Sequence, residues 1–338
     1  MAVLGFDGVG FSYAEAAVLA GVSFEAQLGE LLVILGPSGS GKSTVLRLAA
    51  GLDAPNAGTI YLNERPASTA GRILMEPADR RISLVFQELA LWPHLSADQQ
   101  LHFTGPALHA ADRQRLLRDV GLEGLETRLP AHMSGGERQR LALARALAAG
   151  PRALLLDEPF ANLDPGLRLE LRRLLRDLKR RHRVSIVYVT HDLEDAFDLA
   201  DRIAVLKEGR IEQTGPPEEI YRRPANAFVA TFVGKAIIVS AKVEGSEIHT
   251  PLGNFSNPRS DLGGASEVEV VLRPEDIEVG EGDVQARVEE VVFGGDRYLV
   301  RASTESGPIW TYASDPRVPG ETVGVRVRHG WPLQASRE

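Results

Sequence analysis

LLVILGPSGSGKST, residues 31–44, decides the fold. Residues 31–35 are an unbroken apolar run without polar alternation, the pattern of a strand buried on both faces. Glycines at 36, 39 and 41 break that run, and after Lys42, Ser43 and Thr44 the chain resumes with Val45, Leu46 and Leu48. The order is strand, glycine loop, helix.

The spacing G-x-x-x-x-G-K-S from Gly36 through Pro37, Ser38, Gly39, Ser40 and Gly41 to Lys42 and Ser43 is that of a phosphate-binding loop. Glycines let backbone N–H groups turn inward around phosphate oxygens, and the helix that begins near Thr44 adds a favourable dipole. Lys42 is placed to reach the β- and γ-phosphates, and Ser43 offers a hydroxyl to Mg²⁺. A chance glycine-rich turn would lack the flanking strand and helix.

Further along, ALLL at 153–156 is a second buried run, and it ends in Asp157, Glu158 and Pro159. VSIVYV at 184–189 is a third, feeding Thr190, His191 and Asp192. Ligands of open α/β sheets bind at the carboxyl ends of such strands. There Asp157 is suited to orient hydrated Mg²⁺ and Glu158 to polarise a water attacking the γ-phosphate. Taken singly, carboxylates often just cap strand ends, and a lone histidine is more often structural. Their company decides it: Gln87 lies between loop and carboxylates, as does Ser134, followed by Gly135, Gly136 and Glu137 at the start of a helix. Ser-Gly-Gly at a helix N-terminus is a second phosphate-binding device.

This set, in this order, resembles the nucleotide-binding domain of the ABC ATPase family over residues 1–235. The resemblance implies that residues 36–44 are Walker A, Gln87 the Q-loop, 134–139 part of the signature motif, and Asp157 and Glu158 Walker B with the catalytic glutamate. It makes 161–164, ending in Asp164, the D-loop, and His191 the switch histidine. Tyr13 matches the position where the family stacks an aromatic ring on adenine; its alternative is a tyrosine in an N-terminal β-hairpin. Three positions depart from the family's usual residues: Met133, Glu137 and Ala161 stand where leucine, glutamine and serine are commoner. No carboxylate, lysine or histidine of the site is lost, and activity is expected to survive. The resemblance further implies ATP and Mg²⁺ as ligands and a homodimer, with each ATP held between the P-loop of one chain and the Ser-Gly-Gly of the other.

Composition agrees with a globular chain: 43% hydrophobic, 25% charged, with no cysteine among its 338 residues. Disulfides, iron–sulfur clusters and thiol catalysis are thereby excluded. A net charge of −8 argues against a nucleic-acid partner. The basic residues 179–183 end a leucine-striped helical stretch, 166–182, where cations suit the helix dipole. No apolar run approaches the ~20 residues of a membrane-spanning helix, and no secretory signal opens the chain. The expected location is cytoplasmic, and the resemblance implies a peripheral seat on the inner face of the cell membrane.

Within the family, soluble members acting on nucleic acid or the ribosome carry long coiled coils or a duplicated P-loop. One P-loop and no sustained heptads favour a transport ATPase. LWPHLS at 91–96 resembles the importer segment that meets a membrane subunit. After about Gly234, short alternating runs at 267–272, 284–292, 298–302 and 323–327, separated by glycine turns, predict a small β-barrel. With LRPEDIEV at 272–279 it resembles the TOBE accessory domain of importers of sugars, polyamines, iron and oxyanions. The expectation is therefore an α/β P-loop NTPase (ABC ATPase) domain, 1–235, with a helical subdomain at about 88–150, followed by an all-β, OB-like barrel, 236–338. Its expected partners are a second copy, transmembrane permease subunits and, indirectly, a periplasmic or extracellular solute-binding protein.

Overall fold

The computed structural model describes the chain except residues 15, 162, 260, 261, 263–265, 281 and 334–338. It divides into two compact units, Met1–Pro217 and Glu218–Glu338.

In the first unit the run at 31–35 is the strand Leu31–Leu35, with every side chain fully buried. It is central in a six-stranded sheet of order Arg210–Gly215, Arg202–Lys207, Leu31–Leu35, Ser185–Thr190, Ala153–Asp157, Ile82–Val85. All neighbours pair in parallel except the first two. Register follows burial: Leu35 lies opposite Thr190, Asp157 opposite Val189, and Val85 opposite Leu156. The strands therefore end together, and the residues after each end arrive at one edge.

The helix Lys42–Ala50 packs Val45, Leu46, Leu48 and Ala49 into a core shared by the central sheet and an antiparallel sheet. That second sheet runs Ala16–Gln27, Ala2–Tyr13, Ala57–Leu62, Arg65–Thr69, Arg72–Ile73. Each large aliphatic side chain so buried contributes roughly 1.5–3 kcal/mol. Arg80, 2% exposed, closes the far end of the same helix by donating to the carbonyls of Leu48 (3.1 Å) and Ala49 (2.9 Å).

Within the expected helical subdomain are three α-helices, Ala97–Thr104, Ala110–Asp119 and Gly135–Ala148. The leucine stripe at 166–182 becomes the helix Pro165–His182, with Leu171, Leu175 and Leu178 fully buried. Its terminal cations do more than suit the dipole: Lys179 pairs with Asp201, and Arg181 with Asp119 at 2.9 Å.

The second unit holds two five-stranded antiparallel sheets around an aliphatic core that includes Val270, Leu272, Val300, Ile309 and Val325, the small barrel that the alternating runs imply. The units part at 217/218, whereas the sequence placed the boundary at 235/236. Arg273 gives the physical reason, because its guanidinium donates to the carbonyls of Tyr221 (2.8 Å), Ala230 (2.8 Å) and Lys235 (3.1 Å). The helices Pro217–Arg222 and Ala227–Phe232 are thus bonded to the barrel.

Candidate functional site

Three of these strand ends, after Leu35, Val85 and Asp157, bring predicted residues to one cleft of about 450 Å³, lined by Val18, Ser38, Gly39, Gly41, Lys42, Ser43, Thr44, Gln87, Asp157 and Glu158. Backbone constraints account for the loop. A Cβ on Gly36 would sit 2.3 Å from the carbonyl oxygen of Leu206, so no larger residue fits. Gly41 holds φ +102° as the N-cap, a conformation open to glycine. Having no side chain, Gly41 leaves the helix Lys42–Ala50 without a side-chain cap. The first-turn N–H groups of an α-helix have no intrahelical acceptor. Ser40 Oγ, also in the loop, is buried with no hydrogen-bond partner among the described residues. An uncapped helix start beside an orphaned hydroxyl and a lysine fits a polyphosphate.

Lys42, 6% exposed, donates to the carbonyls of Gly36 and Pro37, each at 2.9 Å, which aims its ammonium along the loop. Burial pulls its pKa below the ordinary lysine value, opposed by the charges of Glu158 and Asp157. Ser43 Oγ donates to Asp157 Oδ1 at 3.1 Å. Burial raises the Asp157 carboxyl, and the bond from Ser43 lowers it. Hydroxyl, carboxylate and the Gln87 amide form an all-oxygen donor set of the kind that suits Mg²⁺.

Glu158 has φ +42°, in the left-handed region that costs a residue with a Cβ about 1–3 kcal/mol. Its backbone N–H donates to Val189 at 3.1 Å, fixing the turn after the strand. One carboxylate oxygen lies 3.8 Å from Lys42 Nζ and the other 3.0 Å from His191 Nδ1. An adjoining cavity of about 290 Å³ is lined by Glu158, Ala161, Arg168, Thr190, His191, Asp192 and Asp195, so Glu158 faces both spaces.

Other predicted residues lie off the cleft's lining. Tyr13, 48% exposed, packs edge-on against Phe11 with ring centroids 4.8 Å apart. Val18, which the sequence reading missed, lines the cleft instead. Its signal is weak, one apolar residue in an alternating strand. Ser134 caps the helix Gly135–Ala148 through a reciprocal box: Glu137 N–H donates to Ser134 Oγ (3.2 Å), and Ser134 N–H donates to Glu137 Oε2 (2.7 Å). Glu137 therefore has a structural task that glutamine would share. Met133, another departure, is 4% exposed and fills apolar space. The two signature glycines differ: a Cβ on Gly135 would meet nothing within 4 Å, whereas one on Gly136 would come 2.7 Å from Leu167 Cδ1. Asp164 caps the helix Pro165–His182 by accepting from Leu167 N–H at 2.9 Å. Asn162, inside the predicted stretch 161–164, lies outside the described residues.

Behind His191 is a charged network that the sequence did not announce. Arg168 pairs with Asp192, the N-cap of the helix Leu193–Leu199. Arg172 Nε and Tyr188 Oη both donate to Asp195, each at 2.6 Å. Burial and the Asp195 charge raise the Tyr188 hydroxyl well above its ordinary value, so it acts as a fixed donor. Arginines on an amphipathic helix read as solvated in a sequence, which is why these contacts were missed.

Comparison with known proteins gives a consistent picture. A family model described as ABC transporter matches residues 19–161, and one described as TOBE domain matches 270–333. The chain is 40% identical over 336 residues to the Fe(3+) ions import ATP-binding protein FbpC 2 of Rhodococcus jostii, covering 95% of each. It is 42% identical over 325 residues to the sulfate/thiosulfate import ATP-binding protein CysA 2 of Chromobacterium violaceum, covering 90% of this chain and 87% of the relative. It is 39% identical over 353 residues to the spermidine/putrescine import ATP-binding protein PotA of Methylococcus capsulatus, covering 97% and 90%. Among solved structures, cbiO1 of Clostridium perfringens, part of the ABC transporter complex cbiONQ, aligns with TM-score 0.59 at 28% identity over 65% of this chain and 90% of that one. The dimeric structure of MJ0796, a bacterial ABC transporter cassette, aligns with TM-score 0.56 at 30% identity over 63% of this chain and 98% of that one.

Proposed function

This chain belongs to the ABC transporter family as an import-type ATP-binding subunit that hydrolyses ATP, and we propose that the cleft at the carboxyl edge of its central sheet is where it does so. The observation that carries this reading is the convergence of Lys42, the Ser43–Asp157 pair and the Glu158–His191 pair at aligned strand ends.

Gly36, Pro37, Ser38, Gly39, Ser40, Gly41 and Thr44 shape a cradle for the phosphates of ATP, and Lys42 neutralises the outer two. Ser43, Asp157 and Gln87 would hold Mg²⁺, which when bound spreads the phosphate charge. Glu158 accepts a proton from a water attacking the γ-phosphorus, the bond to the bridging oxygen breaks, and ADP and phosphate result. His191 fixes the Glu158 carboxylate, and Tyr13 offers a half-exposed ring to adenine.

Ser134, Gly135, Gly136, Glu137 and Asp164 act in trans, on ATP bound to a second copy. The unencumbered Gly135 and exposed Ser134 support that assignment. ATP then closes a homodimer and hydrolysis opens it, by differential affinity for the two states. The chain serves permease subunits, and through them a solute-binding protein, from the cytoplasmic face of the membrane. No helix among the described residues is long and apolar enough to cross a membrane, which accords with a peripheral seat. The named relatives divide among iron, sulfate and polyamines, so we assign the choice of solute to the permease.

ATP hydrolysis by the purified chain and by Glu158→Gln tests the reading, with capture of membrane partners by the variant held on ATP. The expected result is retained ATP binding, turnover lowered about 10²-fold or more, and a co-purifying permease. Undiminished turnover in Glu158→Gln would refute the assigned chemistry.

A further inference from the structure

Among the described residues, four ion pairs follow one another along a face of the helix Pro165–His182, about one turn apart: Arg168 with Asp192, Arg172 with Asp195, Arg176 with Asp198, and Lys179 with Asp201. Asp195 and Asp198 belong to the helix Leu193–Leu199, and Asp192 is its N-cap. Arg172 and Asp195 are both buried, so their pair, with Tyr188, already joins the two helices. The first pair is different. Both its side chains are partly solvated, and a pair of that kind adds little to stability. Arg168 Nε is also buried with no hydrogen-bond partner among the described residues, which is a cost to the fold. Stability therefore gives a poor reason for Arg168, but its place gives a better one. Arg168, His191 and Asp192 line both the cavity of about 290 Å³ that Glu158 faces and a second of about 550 Å³.

The His191 side chain is 55% exposed, and its partner among the described residues is Glu158, 3.0 Å from Nδ1. Packing does little to aim so open an imidazole, which leaves the task to the turn at 190–192. On one side of that turn Thr190 is buried, and its carbonyl accepts from Gly36 N–H at 3.3 Å. On the other, Asp192 N–H donates to Thr190 Oγ1 at 2.9 Å. The Asp192 carboxylate accepts from Asp195 N–H at 3.1 Å through Oδ1 and from Arg168 Nη1 through Oδ2. Arg168 itself leaves the first turn of a helix that Pro165 opens and Asp164 caps, so the hold on Asp192 comes from a fixed element.

We propose that Arg168 is a positioning residue for ATP hydrolysis: by holding Asp192 it fixes the turn that presents His191 to Glu158. The proposal rests on the reading of Glu158 and His191 as the hydrolytic pair. Arg168 acts through Asp192 and His191, and the role needs no movement beyond the geometry described. Because the P-loop binds ATP in that reading, losing Arg168 slows turnover and spares affinity. The pair of Arg176 with Asp198 has the same chemistry but lines none of the cavities named here, so it serves as the comparison.

Steady-state hydrolysis of γ-labelled ATP, which reads slow variants, tests it. Arg168→Ala is expected to lower kcat about tenfold with KM for ATP within about twofold, and to lower it by less than about twofold more in a His191→Ala background. Only Nη1 of the guanidinium engages Asp192, so Arg168→Lys, which keeps a cation there, should restore kcat to within about threefold of the natural chain. Arg176→Ala, which removes the contact with Asp198 at 3.1 Å, should leave kcat within about twofold. An unchanged kcat in Arg168→Ala, no recovery in Arg168→Lys, or an equal loss in Arg176→Ala would each overturn the proposal. If Arg168→Ala melts early, Asp192→Asn replaces it, since asparagine keeps the N-cap and gives up the carboxylate that Arg168 holds; the same loss and non-additivity are expected. An unchanged kcat in His191→Ala would sink the reading of the site and the positioning role with it, whereas a His191→Ala defect that multiplies with Arg168→Ala sinks the positioning role alone.

Discussion

Two helices of the first unit begin in opposite ways. Lys42–Ala50 starts from a left-handed glycine with no side-chain cap, while Gly135–Ala148 starts from Ser134 and Glu137 locked in a reciprocal box. The first has no side-chain cap to satisfy its N–H groups, so under the proposed function one chain would suffice to bind phosphate there. The second satisfies part of its own need, so an anion must share or displace the box. That difference fits the division of labour proposed above, in which the P-loop would bind ATP unaided and the signature helix would engage it only when a second chain closes.

The largest effect that would break this comparison comes at the uncapped helix. Lys42→Ala should weaken ATP binding at least about 100-fold, the loss of a buried cation on phosphate being worth several kcal/mol; equilibrium dialysis with ATP measures it. Comparable binding by Lys42→Ala and wild type would remove the P-loop from its role. Next comes a glycine contrast. Gly36→Ala, which drives a Cβ into backbone at 2.3 Å, should cost about 1–3 kcal/mol of stability. Gly135→Ala, with nothing within 4 Å, should leave Tm unchanged and still impair ATP-dependent dimer formation.

Smaller is the cap itself: Ser134→Ala should lose about 1 kcal/mol in chemical denaturation. Smallest is the pH dependence of the box. The hydrogen bond from Ser134 N–H holds the Glu137 carboxyl below its ordinary value. A carboxylate lowered in this way stabilises the fold above its unfolded-state pKa and loses that contribution as pH falls through its folded-state value. Melting curves of wild type and Glu137→Gln, from neutral pH down to about pH 3, should therefore converge towards the acid end. A constant offset would show that the charge on Glu137 adds nothing to the box.

The same contrast runs through what the sequence made legible. The P-loop could be read because glycine, lysine and serine at fixed spacing carry their chemistry locally, between a buried strand and a helix. Asp157, Glu158 and His191 could be placed at one edge because each follows an apolar run, and parallel register aligns the ends of such runs; Gln87 was singled out only by its company and by the family resemblance. The barrel was legible from alternation and glycine turns. Arg80, Arg168 and Arg172 were not, because an arginine becomes structural only when tertiary packing supplies carbonyls or carboxylates distant in sequence. Nor was the boundary at 217/218, which Arg273 sets by gripping helices whose own pattern continues that of the first unit.

The account turns on ATP being held between the P-loop of one chain and Ser134–Gly135 of another, and the absence of cysteine makes a direct test available. Chains carrying Glu158→Gln with Ser38→Cys would be mixed with chains carrying Glu158→Gln with Gly135→Cys, and treated with a short bis-thiol crosslinker with and without ATP. The account predicts a crosslinked pair of unlike chains that forms with ATP and not without it. No crosslink at saturating ATP, or crosslinking that ignores ATP, would contradict it.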